Sequence, residues 1–499
     1  MTSAFLRLAP LAIACAAAIS PLRAAEVEPG LHAAAAQAGA VDTLIVLNAK
    51  ASKQLLRNDG DYLERRRNLV DTLRATAEVS QAELRGWLDA HGVAYRPFWI
   101  VNMIEASLTA AQLDALASRD DVAKIESNRA FKLKQPEMGP LPDGQSDSDA
   151  PAAALAIEWG VNKVRAPLVW AAGITGQGIV IAGQDTGIRW THSAIKAKYR
   201  GWNGVSADHN YSWHDAIHVT GSSCGADSVA PCDDNGHGSH TIGTMVGDDG
   251  SGNQVGVAPG ARWIGCRNMN AGDGTPARYN ECAQWLLAPT NLAGNDPQPD
   301  LAPDVVSNSW GCPTSEGCTA GTEVQEAIEN LVNGGIVFVA AAGNDGSSCS
   351  SIGDAPATYD ASFTIGSMTS GNAMSSFSSR GPVAGLVGTK PDVIAPGSSV
   401  RSINNTSDSS YMTISGTSMA TPHVAGVVAL LMSVNKSLRG NPARVEQILR
   451  ETAVPISDTQ VCGDIPASTF PNNVQGSGRV DAWNAFLVAE KIFADPFDD

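Results

Sequence analysis

GTSMATPHVAG, residues Gly416 to Gly426, sets one serine between a Gly-Thr turn and the small-residue start of a helix (Ala420, Thr421, Pro422). From His423 to Leu431 the residues are those of a buried, apolar helix. Such a turn presents Ser418 at a helix N-terminus. Unpaired backbone N–H groups and the positive end of the dipole favour a developing oxyanion there. Pro422 reads as part of the first helical turn, where no intrahelical N–H bond is lost. A serine alone carries no chemistry; it needs a base, and an acid to orient the base.

Both stand upstream. IVIAGQDTGI, Ile179 to Ile188, is a β-branched, apolar run that reads as a buried parallel strand with Asp185 at its C-terminal end. In open α/β sheets that edge is where sites assemble. NGHGSHTIGTMVG, Asn235 to Gly247, puts His237 between glycines at the start of a small-residue helix. VFVAAAGNDG, Val337 to Gly346, is another buried strand, and it ends at Gly343-Asn344, where an amide can donate to an oxyanion.

With these four motifs in order, the stretch from about Trp159 to Ala489 resembles the subtilisin-like serine peptidases, whose triad runs Asp, His, Ser along the chain. VVSNSWG (Val305 to Gly311), SSFSSRGP (Ser375 to Pro382) and KPDVIAPG (Lys390 to Gly397) are further marks of that family. The NSWG form and the CRNMNAGDGTPARYNEC stretch (Cys266 to Cys282) are most similar to its bacillopeptidase F-like branch. The resemblance implies a triad of Asp185, His237 and Ser418, with Asn344 as oxyanion donor. It implies a substrate cleft walled by Ser309, Trp310 and Gly311 on one side and by Ala341, Ala342 and Gly343 on the other. Trp310 is bulkier than the Leu common at its position. The expected reaction is peptide-bond hydrolysis through an acyl-enzyme, with protein or peptide substrates and no cofactor for the chemistry. A catalytically silent homologue would lack a triad or oxyanion residue, and none is missing.

The 499 residues exceed one typical domain. Residues 1–24 read as a secretory signal peptide, with one early cation (Arg7), an apolar core and a small residue at Ala24. The leader contains one of nine cysteines, Cys15; the other eight are Cys224, Cys232, Cys266, Cys282, Cys312, Cys318, Cys349 and Cys462. An even number behind a leader predicts disulfides and a secreted (extracellular or periplasmic) protein. Short loops favour Cys224–Cys232 and Cys312–Cys318, which leaves Cys266–Cys282 and Cys349–Cys462; many other pairings stay open. Residues 1–134 hold 16 Lys and Arg against 15 Asp and Glu, and the remainder 18 against 36. So acidic a body argues against nucleic-acid or anionic-membrane partners. No later stretch has the uninterrupted apolar length of a membrane anchor.

Residues 41–133 follow a βαββαβ order. Asp42 to Asn48 is a strand, Tyr62 to His91 a long helix, Ala94 to Leu108 two short strands, Thr109 to Asp120 a capped helix and Asp121 to Phe131 a closing strand. This order predicts a ferredoxin-like α+β unit. Ahead of a subtilase domain it is similar to the family's pro-domain, a folding assistant and transient inhibitor. Residues 134–156, rich in Pro, Asp and Ala, read as a linker with the processing site, which is expected within about Phe131 to Ala154. Residues 157–491 read as a doubly wound α/β domain with a mostly parallel sheet, its strands at 178–184, 262–267, 304–309, 335–341 and 363–368. Late helices follow at Arg444 to Ala453 and Gly478 to Lys491. Residues 492–499 form a short acidic tail.

Four other histidines have simpler readings. His240 makes an HxxH with His237, but no Glu follows His237 as HExxH requires. His423 lies on an apolar helix and reads as packed. His214 and His218 fall in a surface loop closed by Cys224–Cys232. No metal is assigned. The loop Gly247 to Pro259 is where the family holds calcium, and Asp248 and Asp249 are suitable donors. However, Gly250 stands where Asn is common, and Ala194 where a distant Asp ligand is expected.

Overall fold

The computed structural model describes residues 25–51, 61–133, 137–138, 156–313 and 323–494. The expected leader, most of the linker and the last five residues lie outside them.

Seven strands form one wholly parallel sheet. Their spatial order is Trp213–Asp215, Arg262–Arg267, Val180–Asp185, Val305–Asn308, Val337–Ala341, Phe363–Met368 and Val393–Pro396. The Val180 strand pairs with the Arg262 strand on one edge and the Val305 strand on the other. The winding reverses at this point, so the crevice beyond its C-terminal end is the switch point of the sheet. Asp185 sits there. These strands are buried along nearly their whole length, as a sheet covered on both faces requires. The helix Thr417–Val434 runs through the core, its Val424, Val427, Val428 and Leu431 sharing one apolar cluster with Ile181, Val305 and Val339 of the sheet. Two strands were not legible as such. Trp213–Asp215 is three residues long at an edge, and Val393–Pro396 ends in proline inside a motif noted only as a family mark.

The N-terminal unit has the expected antiparallel strands in the order Val122–Ser127, Val41–Leu47, Met103–Leu108, Tyr95–Phe98, a ferredoxin-like sheet. Thr109 and Gln112 close the helix Ala110–Ala117 with reciprocal capping bonds. Two elements precede those foreseen, a strand at Glu26–Val27 and the helix Leu31–Ala38. The latter, LHAAAAQA, has too few large apolar residues to show a period.

The closing strand differs from expectation. It is not continuous to Phe131 but stops at Ser127. There Asn128 turns away, its Nδ2 donating to Glu105 (2.8 Å) and its Oδ1 accepting from Ala277 N (3.0 Å), near the start of the helix Pro276–Leu287. The chain resumes as Phe131–Lys132, a strand on a different sheet altogether. It pairs antiparallel with Asp273–Gly274 of the large unit.

The small unit covers the helices Pro276–Leu287 and Glu323–Asn333 through one shared apolar cluster, including Leu69, Leu73, Ile100, Trp285, Leu286 and Ile328. Polar groups fix the register of the two units. Gln284 Oε1 accepts from Trp99 N (2.6 Å) and Ile100 N (3.2 Å), and Asn330 Nδ2 donates to Ile100 O (2.7 Å). Arg96 reaches Glu281 at 2.6 Å, a carboxylate also bonded by His214 (2.9 Å) and His218 (3.0 Å). These two histidines serve a hydrogen-bond network at the joint, and among the described residues no group of three His, Cys, Asp or Glu is placed to hold a metal ion.

Disulfides join Cys224–Cys232, Cys266–Cys282 and Cys349–Cys462. The expected partner of Cys312, Cys318, lies outside the described residues.

Candidate active site

Asp185 ends its strand with one carboxylate oxygen accepting from Thr186 N (2.7 Å). His237 Nδ1 bonds the same carboxylate at 2.7 and 3.0 Å. Gly238 makes this approach sterically feasible, since a Cβ there would lie 2.2 Å from Gly187 O and 3.0 Å from Asp185 Cβ. Asp233, which the sequence reading passed over, ties the two halves together. Its carboxylate accepts from Thr186 Oγ1, from the backbone N–H of Asn235, Gly236 and Ser239, and from Ser239 Oγ. The strand end that carries the acid and the helix start that carries the base are thus clamped by one buried carboxylate.

Both members of the Asp185–His237 pair are buried, at 4% and 2% exposure, so the imidazole is shielded from water that would compete for it. Burial disfavours its charged form, but the charge and hydrogen bond of Asp185 outweigh that, and the pKa of His237 is raised above its ordinary value. Its Nε2 has no hydrogen-bond partner among the described residues. The other histidines of this region are held neutral. Burial lowers His240 to about 3 and His423 to about 4; they bond Val400 O (3.0 Å) and Met419 O (2.8 Å). Both are packing residues.

Ser418 is the second residue of its helix, so its N–H belongs to the unpaired first turn. Its Oγ donates to Ser309 O (2.9 Å), and Ser309 Oγ donates back to Ser418 O (3.0 Å). The second bond depends on Pro422, whose role differs from the one expected. The helix begins at Thr417, so Pro422 lies inside it rather than in the first turn. Its missing N–H would have gone to the carbonyl four residues back, which is that of Ser418. The freed carbonyl takes the Ser309 hydroxyl instead and pins the cleft wall to the serine.

Asn344 uses its Oδ1 twice, accepting from Thr417 N (2.9 Å) and Thr417 Oγ1 (3.0 Å). The amide is thereby oriented with its NH2 group left for a ligand. Asn344 and Ser418 line a cleft between Ser309, Trp310 and Gly311 on one side and Ala341, Ala342 and Gly343 on the other. All the predicted wall residues meet there. Trp310 is stacked face to face on Tyr279, 3.6 Å between centroids, with Phe131 5.7 Å from the same tyrosine.

The chain's own Phe131, Lys132 and Leu133 also line this cleft. They lie extended, in register Phe131↔Gly274 and Lys132↔Asp273, with Leu133 N donating to Gly272 O (2.7 Å). Beyond the cleft, Glu137–Met138 pairs antiparallel with the strand that leads to Gly416, in register Ser415↔Glu137.

Residues 176–478 match the family model described as the subtilase family. The chain belongs to the subtilase family. It is 34% identical to Bacillopeptidase F of Bacillus subtilis (strain 168) over 463 residues, 87% of this chain but 29% of that protein. It is also 30% identical to Subtilisin Savinase of Lederbergia lenta over 334 residues, 66% of this chain and 98% of that one. M-protease of Shouchella clausii (strain KSM-K16) matches at 30% over 343 residues, 68% of this chain and 72% of that protein. The chain thus spans less than a third of the first of these relatives and most of the other two. The family assignment and the bacillopeptidase F-like resemblance agree with the motifs read from sequence.

The calcium loop of this subtilase does not fit the ion. Asp249 already accepts from Ser251 N (2.8 Å), Asn253 N (3.1 Å), Asn253 Nδ2 (2.6 Å) and Tyr411 OH (3.2 Å). The Lys198 ammonium donates to Asp248 O (2.7 Å), placing a cation in the loop. At Ala194 only the backbone contributes, accepting from Asp248 N (3.0 Å). Hence a chelator is expected to leave the melting temperature within a degree or two. A fall of about 5 °C or more, reversed by added calcium, would overturn this reading of the loop.

Proposed function

We propose that this chain is a secreted serine endopeptidase, made as a zymogen that cuts itself. The observation that carries the reading is the seating of Phe131–Leu133 as an added strand in the cleft that holds Ser418. A cleft that binds an extended backbone by strand addition is built for a peptide. In the proposed reaction Ser418 Oγ turns from Ser309 O to His237 Nε2, gives up its proton there and attacks a peptide carbonyl. Asp185 holds the imidazole with Nδ1 protonated and stabilises the imidazolium. The oxyanion is met by Asn344 and by Ser418 N. His237 then protonates the leaving amine, and water releases the acyl group.

The small unit supplies an internal substrate and then an inhibitor. The strand Phe131–Lys132 lining the cleft and the strand Glu137–Met138 paired beside Ser415 favour a processing site between them. Three disulfides and the leader-like first 24 residues support secretion.

The purified protein, treated with a serine-directed phosphonylating reagent, should be labelled on the peptide containing Ser418 and lose its ability to digest an unstructured protein. Digestion that persists after complete labelling, or that a chelator abolishes, would reject the serine mechanism. Fragments of mixed length distinguish an endopeptidase from an enzyme that removes short peptides from one end.

A further inference from the structure

The face of the large unit that the small unit covers is one-sided in charge. Four ion pairs between described residues cross the joint: Lys50–Glu326 (2.5 Å), Arg67–Asp300 (2.6 Å), Arg96–Glu281 (2.6 Å) and Lys124–Glu323 (2.6 Å). In each of them the small unit supplies the cation. Arg66 adds a buried guanidinium that donates to Gly334 O (2.6 Å), just past the C-terminal end of the helix Glu323–Asn333. The negative end of a helix dipole favours a cation there. The same face carries amides that read backbone. Glu281 and Gln284 stand one turn apart on the helix Pro276–Leu287, and Glu323, Glu326 and Asn330 follow one side of its neighbour. Gln284 and Asn330 bond main-chain atoms of Trp99 and Ile100, contacts that ask for a loop of that shape and for no particular side chain.

We propose that this face, once the small unit has left, is an exosite that recruits protein substrates carrying lysine or arginine among apolar residues upstream of the scissile bond. The inference rests on the endopeptidase and zymogen reading and gives it a substrate class. Departure of the small unit takes the facing cations from Asp300, Glu323 and Glu326, while Glu281 keeps His214 and His218. It also uncovers apolar side chains of both helices, Leu286 and Ile328 among them. An apolar patch rimmed by charge of one sign is a docking surface for a partner of the opposite sign. The face is continuous with the cleft. Phe131–Lys132 lines the cleft with Ser418 and pairs with Asp273–Gly274, which leads into the helix Pro276–Leu287. Lys124, which meets Glu323, stands seven residues before Phe131. A substrate lying in the cleft in the same direction carries its upstream residues towards these carboxylates, and a cation about ten residues before the scissile bond can reach them. Exposed pairs of this kind are individually weak, so the exosite acts on encounter and KM rather than on the chemical step.

The test uses the mature enzyme, separated from the small unit, and three peptides that share one cleavable segment flanked by a fluorophore and its quencher. An extension of about twelve residues precedes that segment, built from Lys and Leu in one peptide, Glu and Leu in the second, and Gly and Ser in the third. The Lys-Leu peptide should have a KM about tenfold below that of the Gly-Ser peptide at low salt, with kcat unchanged, and the Glu-Leu peptide the highest KM. Raising NaCl to about 0.5 M should remove most of the difference, because exposed charges are then screened. The variant combining Asp300→Asn, Glu323→Gln and Glu326→Gln should lose the preference while cutting the Gly-Ser peptide as the unmodified enzyme does, a split that a merely structural role would not produce. A Lys-Leu KM no lower than that of either other peptide, or a preference that survives the three substitutions, would overturn the proposal. If the variant does not fold, the unmodified enzyme decides, and a Lys-Leu advantage unmoved by salt would overturn it. Failure to cut any of the three peptides, with no phosphonate labelling of Ser418, would instead reject the endopeptidase reading beneath it.

Discussion

The Ser418→Ala precursor should remain one chain, with the small unit still covalently attached, under conditions where the unmodified protein separates into two pieces. The small unit is already docked, through buried apolar surface and the Gln284, Asn330 and Glu281 contacts. Its last described residues already lie against the cleft. What remains is the chemistry, which needs the Ser418 hydroxyl. Removing the nucleophile leaves only the oxyanion donors and substrate positioning; in subtilisin this lowers kcat by about 10⁶-fold. Processing that completes in minutes would then take longer than the protein survives. Because Ala keeps the helix N-terminus, the variant should melt as one cooperative, inhibited complex. Mass spectrometry of the pure variant is the measurement. Prompt appearance of the same two fragments, with no active enzyme added, would show that this serine does not cut the chain.

Much of the site is legible in sequence because each member is announced by its own neighbours. Asp185 follows an apolar β-branched run, His237 stands between glycines at a helix start, and Ser418 precedes small residues and a long apolar helix. These are local signals, and local geometry follows from them. What could not be read depends on partners distant in the chain. Ala355 is placed by a bridge to Cys312, and Thr417 matters because it orients Asn344. Pro422 acquires its role from Ser309, more than a hundred residues away. Nothing around Asp233 distinguishes it from a loop aspartate until its five donors are in view. The same reasoning covers the break at Asn128. The run from Val122 to Phe131 keeps strand character throughout, but Asn128 finds its partner at Ala277 of the other unit, and the chain follows.

Asp185→Asn should reduce kcat/KM by about 10⁴-fold, a loss of about 5 kcal/mol in transition-state stabilisation, with the fold intact. The carboxylate now does two things: it accepts from Thr186 N and from His237 Nδ1. An asparagine can keep only the first. With its oxygen turned to Thr186 N, its NH2 group faces the imidazole and donates to Nδ1. The ring is then held in the tautomer with the proton on Nε2, which cannot accept from Ser418. The pH profile tests the electrostatic half of the argument. In the unmodified enzyme Asp185 raises the His237 pKa above about 6.5 despite burial, so activity should be lost as pH falls through that raised value. Without the carboxylate, burial acts on the ring with little to oppose it, and the acid limb of the residual activity should move to lower pH. Phosphonylation of Ser418 is slowed in the variant, so circular dichroism and an unchanged melting transition serve to show folding. Full activity at neutral pH would remove Asp185 from the site. A residual activity whose acid limb stays in place would show that the carboxylate does not set the protonation of His237.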